Sequence, residues 1–195
     1  MKFNKVFGIG LNKTGTNSLN LALNILGVKS MHYPHDLQTY KELISCNYKL
    51  SILKEYDAIT DLPSALYFNH YDEVYPNSKF ILTTRERSSW IKSVRNQWSS
   101  NIFIEPFFES DYKKVAMFFI SSMYGSYYFS EQRFAYCYDK HIESVLDYFK
   151  DKKDSLLLLD VCNGDVWNKL CPFLELENPL ISFPWENKTN YKKLT

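Results

Sequence analysis

Short runs of apolar residues alternate along this chain with longer segments in which apolar positions recur every three or four residues. The first run covers residues 6–9 and predicts a buried strand. A helix should follow it and end at Gly27, because glycine readily takes the left-handed backbone that closes a helix. The apolar face of this helix is formed by Leu19, Ala22, Leu23 and Leu26. The chain therefore begins as strand, loop and helix.

The rest of the chain continues this alternation. Further strands are predicted at 30–33, 57–60, 79–84 and 155–161, and further helices at 37–45, 64–75, 87–100, 111–128, 130–151 and 164–175. Strands separated by helices imply βαβ units, in which right-handed crossovers join parallel strands. We therefore expect an α/β fold with three layers, α/β/α, around a central, mainly parallel sheet.

Length, charge and cysteine content narrow the possible functions. At 195 residues the chain is expected to form a single domain, 1–195. A net charge of +1 gives no long-range field for nucleic acid or an anionic membrane, so we expect neither as a partner. The apolar runs are too short for a signal peptide or a membrane span, which predicts a cytoplasmic protein. The four cysteines lack the spacing of metal ligands, so we expect reduced thiols and no metal site.

Three of the six glycines fall within eight residues, between the first strand and the first helix: Gly8, Gly10 and Gly15. Glycine lets another group approach the main chain closely. The start of the following helix offers unpaired N–H groups at the positive end of its dipole. Lys13 adds a positive charge, and nearby threonine and serine residues add hydroxyls. Together these features predict a loop that binds phosphate.

The positions of glycine and lysine in this loop distinguish three known phosphate-binding motifs. The dinucleotide motif GxGxxG requires glycine where Lys13 stands, and the nucleoside triphosphate motif GxxxxGK[ST] requires lysine where Thr16 stands. Both motifs therefore fail. What remains is the run Asn12-Lys13-Thr14-Gly15-Thr16-Asn17-Ser18, in which the lysine precedes the glycine by two residues.

A second candidate phosphate ligand follows the buried strand KFILTT. Arg85 comes directly after this strand, and Ser93 lies eight residues further on, in a predicted helix. A guanidinium group binds phosphate through paired, charge-assisted hydrogen bonds, and a serine hydroxyl can donate another. An arginine that merely ends a strand in a solvated turn is the alternative explanation for Arg85 alone.

The two motifs together resemble those of sulfotransferases that use 3′-phosphoadenosine 5′-phosphosulfate (PAPS) and release 3′-phosphoadenosine 5′-phosphate (PAP). The resemblance is greatest to the small single-domain members, whose fold is P-loop NTPase-like, and it extends over most of the chain. It implies that Asn12, Lys13, Thr14, Gly15, Thr16, Asn17 and Ser18 bind the phosphosulfate, and that Arg85 and Ser93 bind the 3′-phosphate. It also implies that Lys13 is catalytic, through charge stabilisation on the leaving group.

The same resemblance identifies candidates for the general base. Where cytosolic members carry histidine in a Thr-His-Leu-Pro turn, this chain has Asp61, within Thr60-Asp61-Leu62-Pro63. Asp61 is therefore the first candidate, and its other interpretation is a helix N-cap before Pro63. His32 and His35, which follow the second predicted strand, are the alternatives.

The chain also departs from the family pattern. Ile59 replaces a second lysine, Ser18 replaces a tryptophan after the first loop, and a late Arg-Lys-Gly motif is absent, for which Asn187 and Lys188 are candidate substitutes. These departures keep two alternatives open: a P-loop kinase or hydrolase, with Asp160 as the magnesium ligand, and an inactive nucleotide-binding scaffold.

The resemblance implies in-line, metal-independent transfer of a sulfuryl group to a hydroxyl or amine. The acceptor would be a small molecule or a carbohydrate. Its pocket is expected around 101–108 and the aromatic run 118–138, although the aromatic run also fits ordinary helix packing.

Overall fold

The computed structural model describes residues 2–99, 111–164 and 166–185. Within these residues a sheet of five parallel strands forms in the order β2-β3-β1-β4-β5. The strands are β1 (Val6–Gly8), β2 (Ser30–His32), β3 (Ala58–Thr60), β4 (Lys79–Thr84) and β5 (Leu156–Asp160). The α/β prediction is thus confirmed, and every strand pair in the described sheet is parallel rather than only most of them.

Eight α-helices accompany the sheet in the described part of the chain. They are α1 (Thr16–Ile25), α2 (Leu37–Ile44), α3 (Leu62–Leu66), α4 (Phe68–Val74), α5 (Arg87–Ser99), α6 (Asp111–Tyr124), α7 (Glu131–Tyr148) and α8 (Val166–Leu174). Short 3₁₀ turns occur at Ser51–Lys54, Lys153–Ser155 and Val161–Asn163. The sequence pattern did not predict these turns, because three or four residues are too few to show a period.

Two helix boundaries differ from the predicted ones for local reasons. The single helix expected at 64–75 is two helices, because Tyr67 leaves the helical backbone at φ −126° and ψ 24°. The helix expected to run to residue 128 ends at Tyr124. Gly125 follows with a φ of 66°, the left-handed conformation that commonly ends a helix.

The sheet is covered on both faces, which makes three layers. On one face, α1 and α8 pack against residues such as Val6, Ile81 and Leu159. On the other face, α2 to α7 pack against residues such as Phe7 and Phe80. The chain runs from β1 outward to β2 at the edge of the sheet, and then turns back to β3, which lies between them. From β3 it passes over β1 to reach β4. With right-handed crossovers this reversal puts α1 on the face opposite to α2 to α7.

The chain leaves β1 toward one face of the sheet and leaves the neighbouring strand β3 toward the other face, so the topological switch lies in the middle of the sheet. Open α/β sheets bind ligands at such switch points, beyond the carboxyl ends of the strands. The loop after β1 and the residues after β3 and β4 therefore share one edge of the sheet. None of the helices in the described ranges combines the length and apolar character needed to cross a membrane.

Candidate active site

The loop between β1 and α1 packs so closely against its neighbours that two of its glycines have no room for a side chain. A Cβ at Gly10 would overlap the hydroxyl of Thr83 and lie 2.6 Å from the Thr83 carbonyl oxygen. Gly15 has a φ of 98°, and a Cβ there would lie 2.9 Å from Cβ of Val161. The glycines thus bring the loop against the carboxyl ends of β4 and β5.

Polar side chains inside the loop fix its shape. The Thr14 hydroxyl donates to the Leu11 carbonyl at 2.6 Å and lies 2.6 Å from the Thr83 hydroxyl. The side-chain amide oxygen of Asn12 accepts a hydrogen bond from the Tyr124 hydroxyl. Asn12 and Thr14 are both buried. Their side chains are thus used within the protein, and the predicted role of these two residues in binding stays a prediction.

The start of α1 faces the site without a capping side chain. Gly15 is its N-cap residue and can offer none. The first backbone N–H that bonds within the helix is that of Leu19, which donates to the Gly15 carbonyl at 3.0 Å. The N–H groups of Gly15, Thr16 and Asn17 precede that bond. A helix start of this kind is suited to bind an anion.

Two cationic side chains meet beside this helix start. Lys13 is half-buried, and its ammonium has no hydrogen bond to any described residue. Burial lowers the Lys13 pKa, and the charge of Arg85 lowers it further, whereas Asp61 raises it. Arg85 is partly buried, and its guanidinium donates to the Lys13 carbonyl at 3.3 Å. Two neighbouring cations repel each other, so this arrangement favours an anionic ligand between or beside them.

Arg85 is held in place from two sides. Its Nε donates to the Ser89 hydroxyl at 2.9 Å. Its backbone N–H donates to the Tyr138 hydroxyl, which in turn donates to the Arg85 carbonyl. Ser93, the predicted partner of Arg85 in binding, lies half-buried one turn further along α5. The contact with Ser89 was not predicted from the sequence. Its position four residues after Arg85, one helical turn away, is a signal that could have indicated it.

Asp61 lies at the carboxyl end of β3 and contacts the first loop. One carboxylate oxygen accepts the Thr16 hydroxyl at 2.5 Å, and the other accepts the Leu62 N–H at 2.7 Å. The residue is 5% exposed and has a φ of 80° with a ψ of −162°. This backbone region is almost confined to glycine and costs about 1–3 kcal/mol for other residues. Asp61 is thus both the N-cap of α3 and a buried carboxylate at the loop.

The two candidate histidines have different environments. His32 is partly buried, with Nε2 3.8 Å from the nearer Asp61 oxygen. His35 is exposed, and its Nδ1 donates to the Tyr33 carbonyl at 2.7 Å. Its ring stacks on that of Tyr33, whose pKa is raised by burial and further by Asp61 and Tyr112. The structure therefore brings His32 to Asp61 and places His35 in a separate aromatic contact.

Two further groups that sequence reasoning missed support the loop from behind. Nε1 of Trp90 donates to the Asn12 carbonyl at 2.8 Å, and Nε2 of His141 donates to the Ile9 carbonyl at 2.7 Å. Burial lowers the pKa of His141 to about 4, so its ring is neutral near pH 7. Neither contact can be predicted from local sequence, because the two residues of each pair are 78 and 132 positions apart.

Some predicted residues lie outside the described ranges. These are the proposed acceptor segment 101–108 and the candidate phosphate ligands Asn187 and Lys188. Within the aromatic run 118–138, Phe119, Tyr124, Phe134 and Tyr138 are buried and pack against other helices. Helix packing thus accounts for these four side chains.

Comparison with known proteins identifies the family of the chain. A family model described as a sulfotransferase domain matches residues 5–191. The Ava biosynthesis cluster protein M of Aspergillus versicolor is 33% identical over 110 residues, covering 47% of this chain and 42% of that protein. The aligned region is therefore less than half of that relative. Because the family model covers almost the whole chain, the chain belongs to the sulfotransferase domain family.

Proposed function

We propose that this protein is a PAPS-dependent sulfotransferase that transfers a sulfuryl group to a hydroxyl or amine of a small-molecule or carbohydrate acceptor. The observation that supports this most directly is the convergence of Lys13 and Arg85 at the uncapped start of α1. PAPS carries anionic groups on the 5′ and 3′ positions of its ribose. The site offers two cationic side chains and the backbone N–H groups at the start of α1. The residues present therefore fit this cofactor.

Each charged residue of the site has a distinct proposed task. Bound PAPS supplies an activated sulfuryl group whose departure leaves negative charge on a phosphate. Lys13 stabilises that charge, and the N–H groups at the start of α1 hold the same phosphate. Thr16 and Asn17 lie at this helix start and hold the 5′-phosphate, with Ser18 one residue further on. Arg85 and Ser93 bind the 3′-phosphate.

Asp61 is the proposed proton acceptor. A carboxylate near Lys13 can take the proton from an acceptor hydroxyl while the oxygen attacks sulfur in line. Its neighbours Thr16 and Leu62 fix its orientation. His35 is the second candidate, because donation from Nδ1 to Tyr33 leaves Nε2 as an acceptor nitrogen.

The name of the Aspergillus versicolor relative associates that protein with a biosynthesis cluster. This supports a small-molecule acceptor for the present chain. The net charge of +1 gives no reason to propose a nucleic acid or membrane partner.

Calorimetric titration with PAP, compared with ADP and with ATP plus magnesium, tests the cofactor directly. We expect tight binding of PAP alone, because ADP and ATP lack the 3′-phosphate that we assign to Arg85. A preference for ATP would instead support a kinase or hydrolase. Binding of none of the three would support a scaffold.

The Arg85→Ala variant should weaken PAP binding by 10-fold to 100-fold, roughly the 1.5–3 kcal/mol of a hydrogen bond to a charged group. Binding of adenosine 5′-phosphosulfate, which lacks the 3′-phosphate, should change much less. Arg87→Ala is the matched control, because Arg87 lies two residues away in an exposed ion pair with Asp139. Equal losses for both ligands would contradict the assignment of the 3′-phosphate to Arg85.

The Gly10→Ala variant should weaken PAP binding by about tenfold or more, since the new methyl group collides with the Thr83 backbone and must displace the loop. Gly27→Ala is the control: Gly27 has a positive φ, 78°, so alanine is strained there, but its Cβ would enter open space at the far end of α1. Both variants should lose some stability in urea unfolding. Unchanged PAP affinity in Gly10→Ala would mean that the close approach of loop and strand is not needed for binding.

A further inference from the structure

A row of three residues crosses the carboxyl ends of three neighbouring strands. Gly8 of β1 is opposite Thr60 of β3, and Thr60 is opposite His32 of β2. Because residues opposite each other in a sheet point to the same face, all three face α1. Asp61, the next residue after Thr60, lies beside them. Gly8, Thr60 and His32 thus lie side by side across the sheet, next to Asp61, the proposed proton acceptor.

Thr60 has a side-chain orientation fixed by packing. The residue is completely buried, and its methyl group occupies the space beside Gly8. A Cβ on Gly8 would lie only 2.7 Å from that methyl carbon. With the methyl group held against Gly8, the Thr60 hydroxyl is directed to the other neighbour, where it lies 3.0 Å from Nδ1 of His32.

The hydrogen-bond requirements of Thr60 determine where the proton of His32 lies. The Thr60 hydroxyl has no other hydrogen-bond partner among the described residues. If Nδ1 carried the histidine proton, the hydroxyl could only accept, and its own hydrogen would be buried without a partner. Such an unsatisfied donor costs about 1–3 kcal/mol. Thr60 therefore donates to Nδ1, and a neutral His32 carries its hydrogen on Nε2.

The Nε2 atom is the ring nitrogen nearer to Asp61. It lies 3.8 Å from the carboxylate oxygen that also accepts the Thr16 hydroxyl. This distance is longer than a hydrogen bond, so an N–H group on Nε2 acts through its dipole: it stabilises the negative charge and favours the carboxylate in its present position. With Nδ1 accepting from Thr60 and Nε2 carrying a hydrogen, a neutral His32 has no free lone pair for an acceptor hydroxyl.

We propose that His32 is a positioning residue for Asp61 rather than a general base, and that the Thr60 hydroxyl sets this role by fixing the Nε2–H tautomer. The catalytic part of this inference rests on the proposed function. The tautomer does not, because it follows from contacts within the protein alone.

Nitrogen-15 NMR of the histidine rings at about pH 8 tests the tautomer without any ligand. Two other histidines provide references, since carbonyl oxygens can only accept: His141 must carry its hydrogen on Nε2, and His35 on Nδ1. Single His→Gln variants assign the signals. We expect His32 to show the pattern of His141. The pattern of His35 would overturn the proposal.

Two variants of Thr60 test its control over the ring. Thr60→Val has nearly the same shape without the hydroxyl and should give His32 a mixture of tautomers, whereas Thr60→Ser keeps the hydroxyl and should keep Nε2–H. An unchanged His32 signal in Thr60→Val would contradict the proposal. PAP titration of each variant, with unchanged affinity expected, verifies that the cofactor loop is intact.

Activity measurements then distinguish positioning from proton transfer. We expect His32→Gln and Thr60→Val to lower kcat by about tenfold, which is typical of groups that orient a catalytic side chain, with PAP affinity unchanged. A loss in His32→Gln as large as that in Asp61→Asn would identify His32 as the base and overturn the proposal. If the wild-type protein transfers no sulfuryl group, the proposed function fails, while the NMR result still decides the tautomer.

Discussion

Replacing Lys13 by alanine is expected to reduce the rate of sulfuryl transfer by about 10²-fold to 10³-fold, the usual loss when a group that stabilises developing charge is removed. PAP affinity should fall by less than about tenfold, because the N–H groups at the start of α1 and the Arg85 side chain remain. Steady-state kinetics and calorimetry measure these two effects separately.

The environment of Lys13 is the reason for this large effect. Its ammonium is half-buried and has no hydrogen-bonded partner among the described residues, so the protein keeps it available for a ligand. Burial and the charge of Arg85 both lower its pKa, which means that the cation is held there at a cost. An anion that gains charge during the reaction offsets this cost most fully at the transition state.

Lys29→Ala is the matched control for Lys13→Ala. Lys29 lies at the amino end of β2, where its ammonium stacks on the Tyr56 ring, so its removal leaves the site unchanged. Transfer by this variant should equal that of the wild-type protein. If Lys13→Ala retained transfer within a few-fold of wild type, charge stabilisation would have to be assigned to Arg85 or to the helix start alone.

The fold could be predicted from the sequence because its signals are local. Runs such as KFILTT identify buried strands, and the predicted strand ends differ from the observed ones by only a residue or so. The break at Tyr67 was not predicted, because the residues on both sides favour helix and only the packing of α3 and α4 distinguishes them. Local patterns thus gave the order of elements but not every boundary.

The site could be predicted only in part. Glycine spacing identified the first loop, and the position of Arg85 after a strand identified a second cation. The directions of Asn12 and Thr14 could not be predicted, because they depend on Tyr124 and Thr83 from distant elements. Sequence order also gives no sign that Thr16 and Asp61, 45 positions apart, share a hydrogen bond.

Backbone strain at Asp61 is the clearest feature that sequence could not reveal. Both the N-cap interpretation and the catalytic interpretation fit the sequence Thr60-Asp61-Leu62-Pro63, and the structure shows that the carboxylate caps α3 with one oxygen. Glycine would fit the observed backbone without strain, yet the chain has aspartate there. A side chain kept at a position that costs about 1–3 kcal/mol is a candidate for function.

The Asp61→Asn variant is expected to lower kcat by about 10²-fold to 10⁴-fold, the range for loss of a positioned general base. Asparagine has the same shape as aspartate, carries the same backbone strain at this position and can still accept the Leu62 N–H, so folding and PAP affinity should change little. Kinetics with saturating PAPS, together with urea unfolding and PAP titration, measure these outcomes.

Asp57→Asn provides the control, because Asp57 lies at the other end of β3. Asp57 precedes β3 at the opposite edge of the sheet, where it accepts the Lys29 N–H and lies 3.9 Å from the Lys5 ammonium. Its variant should match the wild-type turnover. Unchanged turnover in Asp61→Asn would instead transfer the role of base to His35, whose Nε2 is the acceptor nitrogen, and His35→Gln would then show the loss. The strain at Asp61 would in that case serve the capping of α3 and the hydrogen bond to Thr16, and the carboxylate would have no part in proton transfer.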